Sequence, residues 1–290
     1  MRTLHALVFL HVAVALFGVA GLFGAWLPLP PVAIVLGRTA VATLALGVVA
    51  VATRTWGPPT AGLAINGVVL AAHWVSFFAA IQASSVAVGL IGYASFPLWT
   101  LVLERISGER RGTRRDLAVA TLVVAGLLFT VPRFASHEPV VVGLAWGLAS
   151  GATFAWLAVR NRGFMRAHPA RSIALWQNAF AAACLVPVVL LADAAGRWPS
   201  SRDLVLIVAL GVVCTALAHT LFVASLASVT AHTASVVAAL EPAYGIALAA
   251  ALLGERPTAA ITRSPAPRSM PAVVASRDAA WGGAPGRMPD

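Results

Sequence analysis

Two charged side chains interrupt long apolar stretches of this sequence. Glu241 lies in SVVAALEPAYGIALAAALLG, and Arg38 lies in PPVAIVLGRTAVATLALGVV. A carboxyl group in a low-dielectric setting can exchange a proton or bind a cation, and a guanidinium can bind an anionic group such as a carboxylate. The structural alternatives are a protonated or paired Glu241 that locks helices together, and an Arg38 that extends to the interface. The two residues could also pair with each other.

Other polar residues occupy comparable positions in the two halves of the chain. His73 in HWVSFFAAIQASS aligns with His219 in HTLFVASLASVT, and Gln177 and Asn178 align approximately with Arg38. Polar groups at one depth could line a shared cavity. A lone histidine in an apolar stretch is also often satisfied by its own surroundings, so this alternative stays open.

Pro97 and Pro242 each remove a backbone donor inside an apolar stretch, which predicts a helix kink. Tyr93 and Tyr244 lie about one helical turn from these prolines. We expect the tyrosine hydroxyls to be candidates for the same polar space, together with Glu241.

The elements that position these residues follow from composition. The chain is 60% hydrophobic and 10% charged, with a mean hydropathy of +0.88. Apolar runs of about 20 residues can cross a membrane, and in lipid they must be helical to satisfy their backbone groups. The sequence therefore predicts an all-α polytopic membrane protein with nine spans, at residues 4–25, 32–52, 63–81, 85–103, 117–132, 140–159, 172–192, 204–224 and 232–253.

The net charge of +10 does not indicate nucleic-acid binding, because the arginines are distributed among short loops and form no continuous basic face. With the N-terminus in the cytoplasm, eleven arginines fall in inside segments and three in outside loops. The positive-inside rule therefore favours a cytoplasmic N-terminus.

The sequence contains an internal repeat. Residues 84–111, SSVAVGLIGYASFPLWTLVLERISGERR, align with residues 229–257, VTAHTASVVAALEPAYGIALAAALLGERP. In this alignment Ser85 corresponds to Thr230, and Pro97 corresponds to Pro242. The first unit, residues 1–132, would hold five spans, and an odd number inverts the second unit, residues 139–257. Inverted repeats are typical of secondary transporters, with the substrate site near the membrane midplane.

Two stripes of small residues fall in equivalent helices of the repeat. Gly18 and Gly21 lie in the first span, and Gly143, Gly147 and Gly151 lie in the sixth. Small residues allow helix backbones to approach closely in membranes. We expect both stripes to be packing surfaces.

The segments SSVAVGLIGYASFP and LEPAYGIALAAALLGERP resemble the EamA family of the drug/metabolite transporter superfamily. The resemblance implies two inverted five-helix repeats in the inner membrane. It also implies secondary transport of small metabolites by alternating access, with export as the expected direction and protons as a candidate coupling ion. It implies no cofactor.

The chain departs from this family after GERP, where a tenth apolar helix is expected. Residues 258–290 are rich in proline and arginine and are predicted to be disordered. One hypothesis is a truncated or frameshifted, non-functional transporter homologue; another is a natural nine-helix form. A membrane-embedded enzyme is less favoured, because the polar residues are scattered singly and neither catalytic nor metal-binding motifs occur.

Overall fold

The computed structural model describes residues 3–54, 57–108, 113–130, 138–191 and 198–244, and the regular secondary structure of this part is entirely helical. A π-helical segment, Val212–Leu217, joins two of the helices, and a further helical turn occupies residues 241–244. In chain order the α-helices are α1 (Thr3–Trp26), α2 (Pro31–Thr53), α3 (Ala61–Ala83), α4 (Val86–Tyr93), α5 (Phe96–Ile106), α6 (Arg114–Thr130), α7 (Glu138–Phe164), α8 (Ala170–Leu191), α9 (Ser201–Gly211), α10 (Ala218–Ser225) and α11 (Ala231–Ala238).

Within these residues, seven helical stretches are long and apolar enough to cross a membrane. Two of them are composite: α4 and α5 form one stretch, and α9, the π-helical segment and α10 form another. The polytopic all-α class is thereby confirmed. Helices α6 and α11 occupy the positions of the predicted fifth and ninth spans. The end of the ninth span, the second Gly-Glu-Arg motif and residues 258–290 lie outside the described residues.

The two aligned segments have the same local structure. Helices α4 and α11 are each eight residues long, and each begins after a hydroxyl side chain that caps the helix. The Ser85 hydroxyl accepts a hydrogen bond from the Val88 amide at 3.2 Å, and the Thr230 hydroxyl accepts one from the Thr233 amide at 3.0 Å. The aligned hydroxyl residues therefore cap the N-termini of both helices in the same way.

Each of these short helices is followed by a two-residue break and then by a new helical turn. Pro97 is the second residue of α5, and Pro242 is the second residue of the turn at 241–244. Proline is tolerated in a first helical turn because its missing N–H would have no partner there. The structure thus has a helix restart at each proline, where the sequence predicted a kink within a continuous helix.

The glycines of α7 pack directly against α4 and the break after it. A Cβ on Gly147 would lie 2.8 Å from the Gly92 Cα, and one on Gly151 would lie 2.7 Å from the Ser95 hydroxyl. A Cβ on Gly143 would lie 2.7 Å from the Ser84 Cβ. Any larger residue would therefore separate the two backbones.

The glycines of α1 have more room at one position. Gly18 and Gly21 are both buried. A Cβ on Gly21 would meet Val86 and Phe77 side chains at 3.7 and 3.8 Å, which is ordinary van der Waals contact. The α7 stripe is accordingly the closer backbone contact of the two.

Candidate functional site

A buried cavity lies among the helices of the bundle, and it brings together five of the polar residues singled out from the sequence. Its walls are mostly aromatic and apolar. The space open to the centre of a water molecule is about 20 Å³, well below the roughly 300–1,000 Å³ of a typical ligand pocket. The lining residues are Phe17, Ala20, Arg38, Leu70, His73, Trp74, Phe77, Tyr93, Phe154, His219 and Glu241.

Arg38 projects from the N-terminal half of α2 into this space and is 1% exposed. Its Nε donates to the Thr215 hydroxyl at 2.8 Å, and its Nη2 donates to the Cys214 carbonyl at 3.2 Å. The guanidinium carbon also lies 4.1 Å from the centre of the Trp74 ring, a distance suited to a cation–π interaction. The structure therefore places Arg38 in the cavity and not at the membrane interface.

Glu241 enters the cavity from the helical turn that follows α11. It is 3% exposed, and its carboxyl group interacts electrostatically with Tyr93, which lines the same cavity. Arg38 and Glu241 interact electrostatically, while the hydrogen bonds of Arg38 go to Thr215 and Cys214. The two ionisable groups thus share one cavity.

His73 is held by α7. Its Nδ1 lies 2.9 Å from the Ser150 carbonyl oxygen, and its ring stacks on Phe154 with centroids 4.8 Å apart. The Ser150 hydroxyl also lies 3.0 Å from this Nδ1, so both the main chain and the side chain of Ser150 contact the ring.

His219 is held by α8. Its Nδ1 lies 3.3 Å from Nδ2 of Asn178, and that amide nitrogen also donates to the Ala174 carbonyl at 2.8 Å. The two aligned histidines therefore have different partners at Nδ1, Ser150 of α7 for His73 and Asn178 of α8 for His219.

Asn178 lies behind His219 and contacts the site through it, whereas its neighbour Gln177 belongs to a separate network. Gln177 and Asn161 exchange hydrogen bonds between their carboxamides, and Asn66 donates to Asn161 at 3.1 Å. The Trp156 indole donates to Asn66 at 3.2 Å. This network joins α3, α7 and α8 away from the cavity lining.

Tyr244 also lies apart from the cavity lining. Its hydroxyl is 2.7 Å from Nδ1 of His11, so it connects the turn after α11 to α1. The two tyrosines singled out beside the prolines thus have different settings, since only Tyr93 lines the cavity.

Sequence reasoning missed several residues of this site. Phe154 touches the rings of both His73 and Tyr93, and Thr215 binds Arg38. One signal could have pointed to Phe154. It follows Gly147 and Gly151 at helical spacing, so it lies on the face of α7 that packs inward.

Comparison with known proteins adds a family resemblance. Residues 141–261 match the model of the EamA-like transporter family. An uncharacterized transporter of Archaeoglobus fulgidus is 26% identical over 167 residues, a match that covers 58% of this chain and 58% of the relative. The segment at 141–261 is thus similar to the EamA-like transporter family.

A solved structure has a similar fold. A chain described only as the crystal structure of a protein superposes with a TM-score of 0.71, over 89% of this chain and 91% of that one. The identity is 17%, so this likeness concerns the fold alone. The two chains therefore share a fold although few of their residues are identical.

Proposed function

We propose that this EamA-like chain is a secondary transporter that moves a small metabolite across the membrane by alternating access around the cavity. The observation that carries the proposal is that Arg38 and Glu241, both buried inside apolar helices, line one space. An ionisable residue inside a membrane is costly and normally faces a cavity or a partner. Two such residues in one cavity support a binding site better than a purely structural role.

The chemistry of the lining indicates the kind of substrate. Arg38 supplies a cation for an anionic group, and Glu241 supplies a carboxyl group for a cationic group or a proton. The surrounding rings, including Trp74 and Phe154, would contact an apolar part. We propose a small metabolite that carries a charged group beside an apolar one.

The cavity has no room for such a metabolite in this conformation, so transport requires the helices around it to move. The breaks after α4 and α11 are places where the main chain lacks continuous helical hydrogen bonding. Tyr93 and Glu241 lie at these two breaks and both line the cavity. We propose that the breaks allow the wall to open, first toward one side of the membrane and then toward the other.

We further propose that the protein lies in the inner membrane with a cytoplasmic N-terminus, and that it exports its substrate. The uneven distribution of arginines supports the orientation. Export is proposed on the resemblance to EamA-family proteins.

Uptake into proteoliposomes tests the central proposal. The purified protein is offered a panel of labelled anionic, cationic, amphoteric and neutral metabolites. We expect accumulation of one charged class, and we expect Arg38→Gln to reduce its initial rate at least about tenfold. Arg54→Gln is the matched control, because Arg54 is exposed just beyond the end of the same helix. Wild-type rates in Arg38→Gln, or no uptake of any class by the wild type, would contradict the proposal.

Glu241→Gln tests whether Glu241 exchanges a proton during transport. The groups that line the cavity with Glu241 and can carry charge are Arg38, Tyr93, His73 and His219. If Glu241 carries the proton, uptake by the Gln variant should lose its dependence on pH. Glu138→Gln is the control, since Glu138 is exposed in the first turn of α7. An unchanged pH profile in Glu241→Gln would exclude the proton role.

A further inference from the structure

The π-helical segment between α9 and α10 changes which carbonyl groups are available beside the cavity. The Ala218 amide donates to the Val213 carbonyl, five residues earlier. In a regular α-helix the same amide would donate to the Cys214 carbonyl. The wider turn therefore leaves the Cys214 carbonyl open to a donor from another helix.

Arg38 is that donor. Its Nη2 reaches the Cys214 carbonyl while its Nε reaches the hydroxyl of the next residue, Thr215. The Thr215 hydroxyl in turn donates to the Leu210 carbonyl at 2.8 Å, again five residues earlier. The Thr215 hydroxyl thus donates to the last turn of α9 and accepts from Arg38.

Close packing on either side leaves α2 and α9 little freedom to separate. A Cβ on Gly211 would lie 2.6 Å from the Val41 side chain and 3.0 Å from the Arg38 carbonyl oxygen. A Cβ on Gly37 would lie 2.9 Å from the Ile207 side chain. The two glycines bring the backbones together beside Arg38, which fixes the distance over which its side chain must reach.

We propose that the π turn at Val212–Leu217 is a positioning element for Arg38, with Thr215 as its positioning residue. Two N–H groups of the guanidinium are bound by Cys214 and Thr215, and the remaining ones are left for an anionic group in the cavity. Trp74 covers one face of the guanidinium at 4.1 Å, so the guanidinium is fixed both in direction and in plane. The consequence for transport rests on the function proposed above, whereas the structural coupling of Arg38 to the π turn does not.

Hydrogen–deuterium exchange of the purified protein tests the coupling without any ligand. We expect Arg38→Gln and Thr215→Val each to raise the exchange rate of the amides of Val212–Leu217 about tenfold. The double variant should exchange no faster than the faster single variant, because both changes remove the same contact. Thr215→Ser, which keeps the hydroxyl, should stay within about twofold of the wild type.

Thr220→Val is the matched control. Thr220 lies on α10, and its hydroxyl donates to the Ala216 carbonyl at 2.6 Å within its own helix. It should leave exchange in the π turn unchanged. Wild-type exchange in the π turn of Arg38→Gln, or additive effects in the double variant, would overturn the proposal. If Thr215→Val does not fold, Thr215→Ser still tests the proposal. Its serine keeps the hydroxyl, so the amides of the π turn should exchange at the wild-type rate.

Uptake kinetics test the consequence for the site. With the anionic member of the labelled panel, Thr215→Val should raise KM about tenfold and leave the maximal rate within about twofold. Thr220→Val should change neither. A fall in the maximal rate with an unchanged KM would contradict a positioning role. If the wild type takes up none of the panel, the proposed function is wrong. The exchange experiment then still tests whether Arg38 stabilises the π turn.

Discussion

Tyr93 and Glu241 line the same cavity and interact electrostatically there, although each lies at a different break in the helical chain. Tyr93 is the last residue of α4, and Glu241 is the first residue of the helical turn that follows α11. Both side chains are almost completely buried. We therefore expect the geometry of one break to be coupled to that of the other.

Tyr93→Phe should weaken this coupling. A polar contact between buried side chains contributes about 1 kcal/mol to the free energy of unfolding, so the melting temperature should fall by a few degrees. The pH profile of uptake should also change, because the carboxyl group of Glu241 loses a polar neighbour in the cavity. Tyr244→Phe is the control: it removes a hydroxyl bonded to His11 and should leave the pH profile as in the wild type. Identical profiles for Tyr93→Phe and the wild type would contradict the prediction.

Gly147→Ala should destabilise the bundle where α7 meets α4. The added Cβ would lie 2.8 Å from the Gly92 Cα, and backbone atoms cannot move aside as a flexible side chain can. Overpacking of this type costs about 1–3 kcal/mol. Gly47→Ala makes the same change on α2, where no atom lies within 4 Å, and it should be neutral or stabilising. Thermal unfolding in detergent compares the two, and equal melting temperatures would show that the glycine contact is not tight.

Asn161→Ala should destabilise the protein without altering substrate affinity. Asn161 is fully buried and connects Asn66 to Gln177, so its removal leaves two buried carboxamides short of a partner. Each unsatisfied buried group costs about 1–3 kcal/mol. Thr153→Ala on the same helix removes a hydroxyl that bonds only to backbone carbonyls of α7 and should have a smaller effect. An increase in KM for the labelled substrate in Asn161→Ala would indicate that the network reaches the site.

Phe154→Leu should enlarge the cavity and broaden the range of substrates. Phe154 stacks on His73 and contacts the rings of Phe17, Tyr93 and Phe222. Its loss should lower the free energy of unfolding by about 1–3 kcal/mol and raise the uptake of bulkier members of the labelled panel. Phe164→Leu, which changes a ring that does not line the cavity, serves as the control. Unchanged substrate selectivity in Phe154→Leu would show that this ring does not determine which substrates bind.

The positions of the charged residues could be predicted because a membrane tolerates few of them. A carboxyl group or guanidinium in an apolar helix must face a cavity or a partner, and Arg38 and Glu241 do. The class of fold followed from the same reasoning, since apolar runs of this length must be helical. The caps at Ser85 and Thr230 were not predicted, although hydroxyl residues before apolar runs commonly cap helices.

Other features of the site depend on information that a sequence position does not carry. Gln177 and Asn178 have nearly the same depth but point about 100° apart around α8, so depth alone could not show which of them contacts the cavity-lining His219. The π turn has no distinctive sequence in VVCTAL, and its geometry becomes evident only with Arg38 on the neighbouring helix. Tyr244 resembles Tyr93 by its spacing from proline, yet its hydroxyl meets His11 of α1.

The bonds of Arg38 to the π turn also bear on how the protein is made. Arg38 and Thr215 are 177 residues apart, so α2 enters the membrane long before its hydrogen-bond partners have been synthesised. An arginine at the centre of an inserting helix costs roughly 2.5–3.5 kcal/mol. Arg38 lies in the N-terminal half of α2, and the apolar residues of this helix must offset a cost of up to that size. Trp74 on the next helix is the first partner to emerge from the ribosome. Insertion of α2 and α3 as a pair would therefore shelter the charge until the last third of the chain arrives.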